Sequence, residues 1–297
     1  MKNRYFARSA LLMLVSVALI SCAATESKPV AKNASFMHKV TGLKTPESVV
    51  QALNGNIYVT EINGFDVDGD GQITVIENGK ARVFVTGLDD PKGIVAIKDN
   101  LYVADKTKVL KITTQGEVTT FVPSTAFPSV PVFLNDIEAD TFGNLYVSDT
   151  GNEGKGAAIY KITPQGQVSL VISNAQNALV KAPNGLLMDD TGDVIILVDF
   201  SSGVLYSYNM KTAVLTDLAE GFGNGDGIVH HSSGMMFVSD WGGGKVFSVA
   251  LNGEVKLIKS GYVAAADMAL TKDEKYLMVP DFKGGALDFI EVSEHLK

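Results

Sequence analysis

One pattern recurs six times along this chain with a period of roughly 40 to 50 residues, and no other feature restricts its fold so tightly. Its clearest line is a short run that follows a turn signal and ends in an acid. The first three copies are Asn56-Ile57-Tyr58-Val59-Thr60-Glu61, Asn100-Leu101-Tyr102-Val103-Ala104-Asp105 and Asn144-Leu145-Tyr146-Val147-Ser148-Asp149. The others are Ile195-Ile196-Leu197-Val198-Asp199, Met236-Phe237-Val238-Ser239-Asp240 and Tyr276-Leu277-Met278-Val279-Pro280-Asp281. β-branched and aromatic residues suit a pleated, half-buried strand. Asn54-Gly55, Phe142-Gly143, Thr191-Gly192 and Ser233-Gly234 supply the preceding turns. A third run follows, as in Val109-Leu110-Lys111-Ile112, then a Gln-Gly or Asn-Gly turn and a fourth, as in Glu117-Val118-Thr119-Thr120-Phe121-Val122. Four strands in each of six units predict an all-β chain, a six-bladed β-propeller of four-stranded blades.

The sixth unit runs out after Phe289-Ile290-Glu291-Val292, one strand short, while Ser35 to Val40 form an orphan strand before the first unit. The propeller is therefore expected over residues 36–297, its last blade closed by the N-terminal strand, which protects both edges by pairing them. The six terminal acids read as architecture, because a carboxylate there accepts hydrogen bonds from turn N–H groups.

The beginning of the chain is different. Lys2, Arg4 and Arg8 precede an apolar run from Ala10 to Ile20, too short to span a bilayer as a mature helix. Leu19-Ile20-Ser21-Cys22 resembles a lipobox, in which the cysteine is acylated, with palmitate-type chains, and becomes the new N-terminus. Residues 1–21 are thus expected to be a signal peptide, and residues 22–35 a lipidated Cys22 with a flexible tether. Cys22 is the only cysteine, so neither an internal disulfide nor a cysteine metal site is possible. The expectation is an exported, membrane-anchored lipoprotein, on the outer-membrane or periplasmic side in a Gram-negative cell. The formal charge of −8 becomes about −11 once the signal is removed, which argues against nucleic acid as a partner. A monomer is expected, with the lipid bilayer and a small-molecule substrate or ligand as partners.

Each unit opens with a strand that should line the central channel. Aligned across the repeats, the openings are Pro46-Glu47-Ser48, Pro91-Lys92-Gly93, Leu134-Asn135-Asp136, Pro183-Asn184-Gly185, Gly225-Asp226-Gly227 and Ala265-Ala266-Asp267. Repeat symmetry converges Glu47, Lys92, Asn135, Asn184, Asp226 and Ala266 at one mouth, and puts Asp136 and Asp267 on the channel lining. Two carboxylates and two amide oxygens are hard donors that suit Ca²⁺ or another divalent cation. The rival is a salt bridge from Lys92 to Glu47 or Asp226 standing in for the ion.

These residues carry a resemblance. PES, LND, APNGLLMDDTG and GDGIVHHSSG, in that order and spacing, make the chain after the tether resemble the SMP-30/gluconolactonase/regucalcin-like (LRE-like) family. The resemblance implies an axial metal held by Glu47, Asn135, Asn184 and Asp226. It also implies hydrolase activity on lactones, a carboxylic-ester reaction. The chain departs from the family pattern at Glu47-Ser48-Val49-Val50-Gln51, at Phe133, where an arginine is often found, and at Lys92. These departures bear on a sugar-lactone substrate more than on the metal.

A second calcium signal is Asp66-Val67-Asp68-Gly69-Asp70-Gly71-Gln72-Ile73-Thr74-Val75-Ile76-Glu77, which fits the D-x-D-x-D-G-x₅-E loop. Its flanks are strands, so it is read as a hairpin loop at the channel mouth, with Asp66, Asp68 and Asp70 as carboxylate ligands, Gln72 through its carbonyl, and Glu77. His230-His231 is placed at the opposite face. Two functions follow. One is a metal-dependent hydrolase of lactones or related esters in which Asp226 is the catalytic base. The alternative is a non-catalytic, surface-anchored binding or scaffold propeller with structural calcium.

Overall fold

The structure, a computed structural model, describes residues 39–296 apart from 66, 153 and 154. Cys22, the signal segment and the tether lie outside the described residues, and so does Asp66. Among the described residues, the strands form six four-stranded antiparallel sheets, each with its strands in sequential order except the last. The inner strands are Pro46–Gln51, Pro91–Ile97, Leu134–Ala139, Pro183–Met188, Gly225–His230 and the short Ala269–Leu270. The chain is a six-bladed β-propeller.

Closure is as the orphan strand predicts. Lys39–Thr41 pairs with Ala286–Glu291, Val40 opposite Leu287, so the last sheet is built from both ends of the propeller. Burial follows from the same arrangement. Six apolar clusters each straddle two neighbouring blades. Tyr58, Ile73 and Val75 meet Ile94, Leu101 and Leu110, for example, and Val49 and Val59 meet Met278 and Leu287 where the ring closes. The core is therefore divided among interblade layers, which leaves the axis to polar residues.

The terminal acids do more than cap their own turn. Asp199 accepts the N–H of Lys181 and Ala182 at 2.8 and 2.7 Å, and that of Ser202 at 2.9 Å. Asp149 accepts Val132 N–H, Phe133 N–H and Gly151 N–H; Asp281 accepts those of Val263, Ala264 and Gly284. Each acid ties the loop coming in to its blade two or three residues ahead of the axial position. The repeat thus fixes where Asn135, Asn184 and Ala266 begin.

Blade six departs from the expected pattern. Its opening, Ala265-Ala266-Asp267, contributes only an isolated bridge, Ala265 opposite Asp281, because Asp267 N–H turns across to the Glu47 carbonyl of blade one at 3.0 Å.

Candidate functional site at the channel mouth

In blades one to five the register between inner and second strands skips at the same place: between Pro46 and Val49, Pro91 and Ile94, Leu134 and Ile137, Pro183 and Leu186, and Gly225 and Ile228. A skip of this kind re-aims side chains that a regular ladder would alternate. The freed N–H groups of Ser48, Asp136 and Gly227 are taken up by hydroxyls of Thr60, Ser148 and Ser239. Gly185 lets neighbouring inner strands approach, since a Cβ there would lie 2.3 Å from the Asp226 carbonyl oxygen.

The result is that Glu47, Asn135, Asn184 and Asp226, with Lys92 and Phe133, line one cavity of about 640 Å³ at the mouth. All four oxygen-bearing side chains are buried. Glu47 Oε2, Asn135 Oδ1, Asn184 Oδ1 and Asp226 Oδ1 each lack a hydrogen-bond partner. Buried polar atoms are seldom left so, and four in one ring is a site built for something electropositive. The orientation of Asn135 is fixed by its neighbours. Thr150 Oγ1 donates to the Pro183 carbonyl at 3.0 Å, so it accepts from Asn135 Nδ2 at 3.0 Å, and the amide oxygen faces away.

The electrostatics agree. Burial pushes the Glu47 carboxyl well above its ordinary range, and Asp226 and Asp136 push it further while Lys92 pulls it down. Asp226 is raised by burial and by Asp136. Lys92 is lowered by its burial, with Glu47 acting against that. It does not take the place expected of a surrogate ion: its Nζ donates to the Asp90 carbonyl at 3.2 Å and lies 4.1 Å from the Phe133 ring centroid. Among the described residues no group of three or more His, Cys, Asp or Glu is placed to share an ion, so a cation at the axis would rest on carboxylates and amides together.

Asp136 and Asp267 face the other end of the channel, where a second cavity of about 410 Å³ opens among Glu138, His230 and Lys272. Asp136 accepts Ile137 N–H and Leu186 N–H, both at 2.6 Å, and burial raises its carboxyl to about 6. Asp267 accepts the Ser48 hydroxyl. His230 lies at this face, and His231 is engaged with Ser233.

The rim loop is only partly assembled. Asp68 pairs with Lys106 at 2.6 Å, whereas Asp70 Oδ1 and Asn63 Oδ1 have no hydrogen-bond partner. Gln72 stands in the ladder opposite Glu61 and donates its amide to that side chain. Glu77 is not brought to the loop. It ends the strand Gly71–Glu77, roughly 20 Å along at the usual rise, and faces Arg82 at 3.5 Å.

The repeat holds a further ring, whose members the sequence does not tie together. The residue after each terminal acid, Ile62, Lys106, Thr150, Phe200, Trp241 and Phe282, lines the mouth cavity. Three of the six are aromatic, and Phe65 and Phe133 join them.

A closed ring of six blades around an oxygen-lined axial pocket defines the class, a six-bladed propeller with a site at one mouth. The chain matches the family model of the SMP-30/Gluconolactonase/LRE-like region over residues 46–275, and it belongs to that family. In fold it is similar to selenomethionine-substituted virginiamycin B lyase from Staphylococcus aureus, with a TM-score of 0.59 and 12% identity over 82% of this chain and 79% of that one. It is likewise similar to a streptogramin B lyase, with a TM-score of 0.58 and 13% identity over 82% and 78% of the two chains. At these identities the likeness concerns the fold. No curated protein matches the chain by sequence.

Proposed function

We propose that the chain is a metal-dependent hydrolase of lactones or related esters, acting at the mouth cavity. The observation that carries this is the ring of four buried, partnerless oxygens from Glu47, Asn135, Asn184 and Asp226, on a chain of a family named for gluconolactonase. The donor set fits a hard divalent cation of the calcium type. When bound, such an ion polarises a carbonyl and acidifies water. The chain's own part is described by Asp226, Glu47 and the amides. Glu47, Asn135 and Asn184 would hold the ion in place. Asp226 takes the proton from the attacking water as its oxygen adds to the lactone carbonyl carbon. When the ring C–O bond breaks, the departing oxygen receives that proton, and one water has been added.

The test is turnover of a panel of lactones and aryl esters by the purified protein, with calcium and with chelator. Turnover that stops on chelation and returns with calcium, and product that has gained the mass of one water, support the reading. Product of unchanged mass would place the chain with lyase chemistry, as in the two named fold neighbours. A metal-loaded protein inactive on the whole panel would favour the binding or scaffold propeller.

Two further proposals concern the rest of the chain. The rim loop is proposed as a second calcium site, with Asp66, Asp68 and Asp70 as ligands and the partnerless oxygens of Asn63 and Asp70 in its support. Calcium should raise the melting temperature less in the Asp68→Ala, Asp70→Ala double variant than in the parent. Cys22 is proposed as the lipidated residue, so Cys22→Ser should abolish acyl labelling and release the protein from the membrane fraction.

A further inference from the structure

Five aromatic rings follow one another around the mouth. Phe133 and Phe65 have centroids 6.3 Å apart, Phe65 and Phe282 5.9 Å, Phe282 and Trp241 5.9 Å, and Trp241 and Phe200 6.1 Å. All five line the cavity above the axial oxygens. Phe200, Trp241 and Phe282 come from blades four, five and six, and Phe65 from the rim loop of blade one, so the rings occupy a continuous arc. Ile62, buried beside Phe282 and Trp241, fills the base of that arc. Phe65 is still 49% exposed, so the arc keeps apolar surface open at the mouth.

Blades two and three set polar groups beside Phe133 in the same cavity, each with a partner inside the protein. Lys92 serves the Asp90 carbonyl and the Phe133 ring. Lys106 pairs with Asp68, and Thr150 is held between Asn135 and Pro183. A polyhydroxylated substrate would bring hydroxyls against the aromatic arc, where each loses water without gaining a partner. An alkyl chain or aryl ring would lose nothing there and would cover Phe65. A cavity of about 640 Å³ is of the size that takes a small organic ligand.

We infer that the mouth selects lactones or esters whose non-reacting part is apolar, an alkyl chain or an aryl ring, and rejects sugar lactones. The aromatic arc receives the apolar part, while the reacting carbonyl lies toward the axial oxygens. This deepens the hydrolase reading and rests on it only for the reacting end of the molecule.

Trp241 is the single tryptophan, so intrinsic fluorescence reports this wall directly. The calcium-loaded full chain is titrated with δ-dodecalactone, dihydrocoumarin and glucono-δ-lactone, with emission read by stopped flow before turnover and product followed separately. The two apolar lactones should change the emission with an apparent affinity at least tenfold above that of the sugar lactone. Phe65→Ala and Phe282→Ala should each cut that preference several-fold. Phe65 sits on an exposed loop, so its variant keeps the fold. Equal or tighter binding of the sugar lactone, or a Phe65→Ala protein with unchanged preference, would overturn the inference. Tight binding of the apolar lactones without any product would leave the inference standing and sink the hydrolase reading. Turnover of the sugar lactone alone would do the reverse.

Discussion

The Lys92 ammonium stands over the Phe133 ring, 4.1 Å from its centroid, and so belongs to the wall of the mouth more than to the axis. Phe133 sits two residues before Asn135 and Lys92 occupies the same repeat position as Asn135 one blade earlier, so an aromatic ring and a cation are fixed to each other across the blade boundary. The ammonium nevertheless acts on Glu47, and a divalent ion would have to share that carboxylate with it. Lys92→Met, which keeps the apolar stem and removes the charge, should tighten calcium binding about tenfold, equivalent to ~1.4 kcal/mol. Titration calorimetry of the metal-free parent and variant measures this. Weaker binding by the variant would show that Lys92 supports the ion site.

Thr150 is expected to be a positioning residue. Its hydroxyl accepts from Asn135 Nδ2 and donates to Pro183 of the next blade, which leaves Asn135 Oδ1 aimed away from both. Thr150→Val keeps the shape and removes both bonds. The Asn135 amide is then free to turn, and calcium affinity should fall about tenfold, with a stability loss of about 1–2 kcal/mol for the lost bonds. Thr150→Ser should restore the affinity. An affinity unmoved by Thr150→Val, read by the same calorimetry, would remove Thr150 from the site.

The architecture and the axial ring were legible in the sequence because a repeat turns a position in one blade into a position in all of them. Glu47, Asn135, Asn184 and Asp226 could be aligned without knowing any distance. The acids Asp149, Asp199 and Asp281 could be read as caps, although their hold on the incoming loop was not visible, since it joins residues 16 to 18 positions away in the chain. Of the aromatic arc, Phe133 and Trp241 can be placed at the mouth from the sequence, whereas Phe65, Phe200 and Phe282 cannot. Phe200 and Phe282 look like core residues when read singly, and only their shared place after a terminal acid marks them as a ring. Glu77 was misplaced because the calcium-loop spacing assumes a backbone that curls back, whereas Gly71–Glu77 is extended strand. Blade six was expected to repeat the others, and the bond from Asp267 N–H to the Glu47 carbonyl is a tertiary contact with no local signal.

At the opposite end of the channel, Glu138 should make stability depend on pH. Its carboxyl is half-buried, and loss of solvent raises it to about 7, with the Ala139 N–H and Lys272 pulling the other way. The unfolded chain gives up this proton near pH 4.5, so between there and neutrality the folded state binds more protons. Stability therefore falls as pH rises through that window, and the loss is complete above it. Glu138→Gln retains an oxygen for the Ala139 N–H, which Glu138 accepts at 2.8 Å, and cannot ionise. Its advantage over the parent should grow from near zero at pH 4.5 to about 1–3 kcal/mol at pH 8. Urea denaturation at both pH values, with chelator present, gives the two differences. A difference independent of pH would mean that Glu138 ionises in the folded protein as freely as in the unfolded one.

The sharpest division of labour expected at the mouth is between its two carboxylates. Glu47 and Asp226 are both buried, both carry a partnerless oxygen, and both feel burial as their largest perturbation. Of the two, Glu47 alone has the Lys92 cation acting on it, so they stand in different surroundings, and Glu47 is assigned to holding the ion. Glu47→Gln should therefore weaken metal affinity most, and excess calcium should restore part of the rate. Asp226→Asn keeps an amide oxygen that can still coordinate, but it can accept no proton. Its rate should fall by ~10²–10⁴-fold and should not recover at any calcium concentration, while calcium binding measured calorimetrically stays within about tenfold of the parent. The experiment is a matrix of rate against calcium for the two variants on a lactone that the parent turns over. If calcium rescues both to the same extent, the two carboxylates are equivalent ligands and the base lies elsewhere. If it rescues neither, and Glu47→Gln still binds calcium as the parent does, Glu47 has a part in proton transfer that its place beside Lys92 does not suggest.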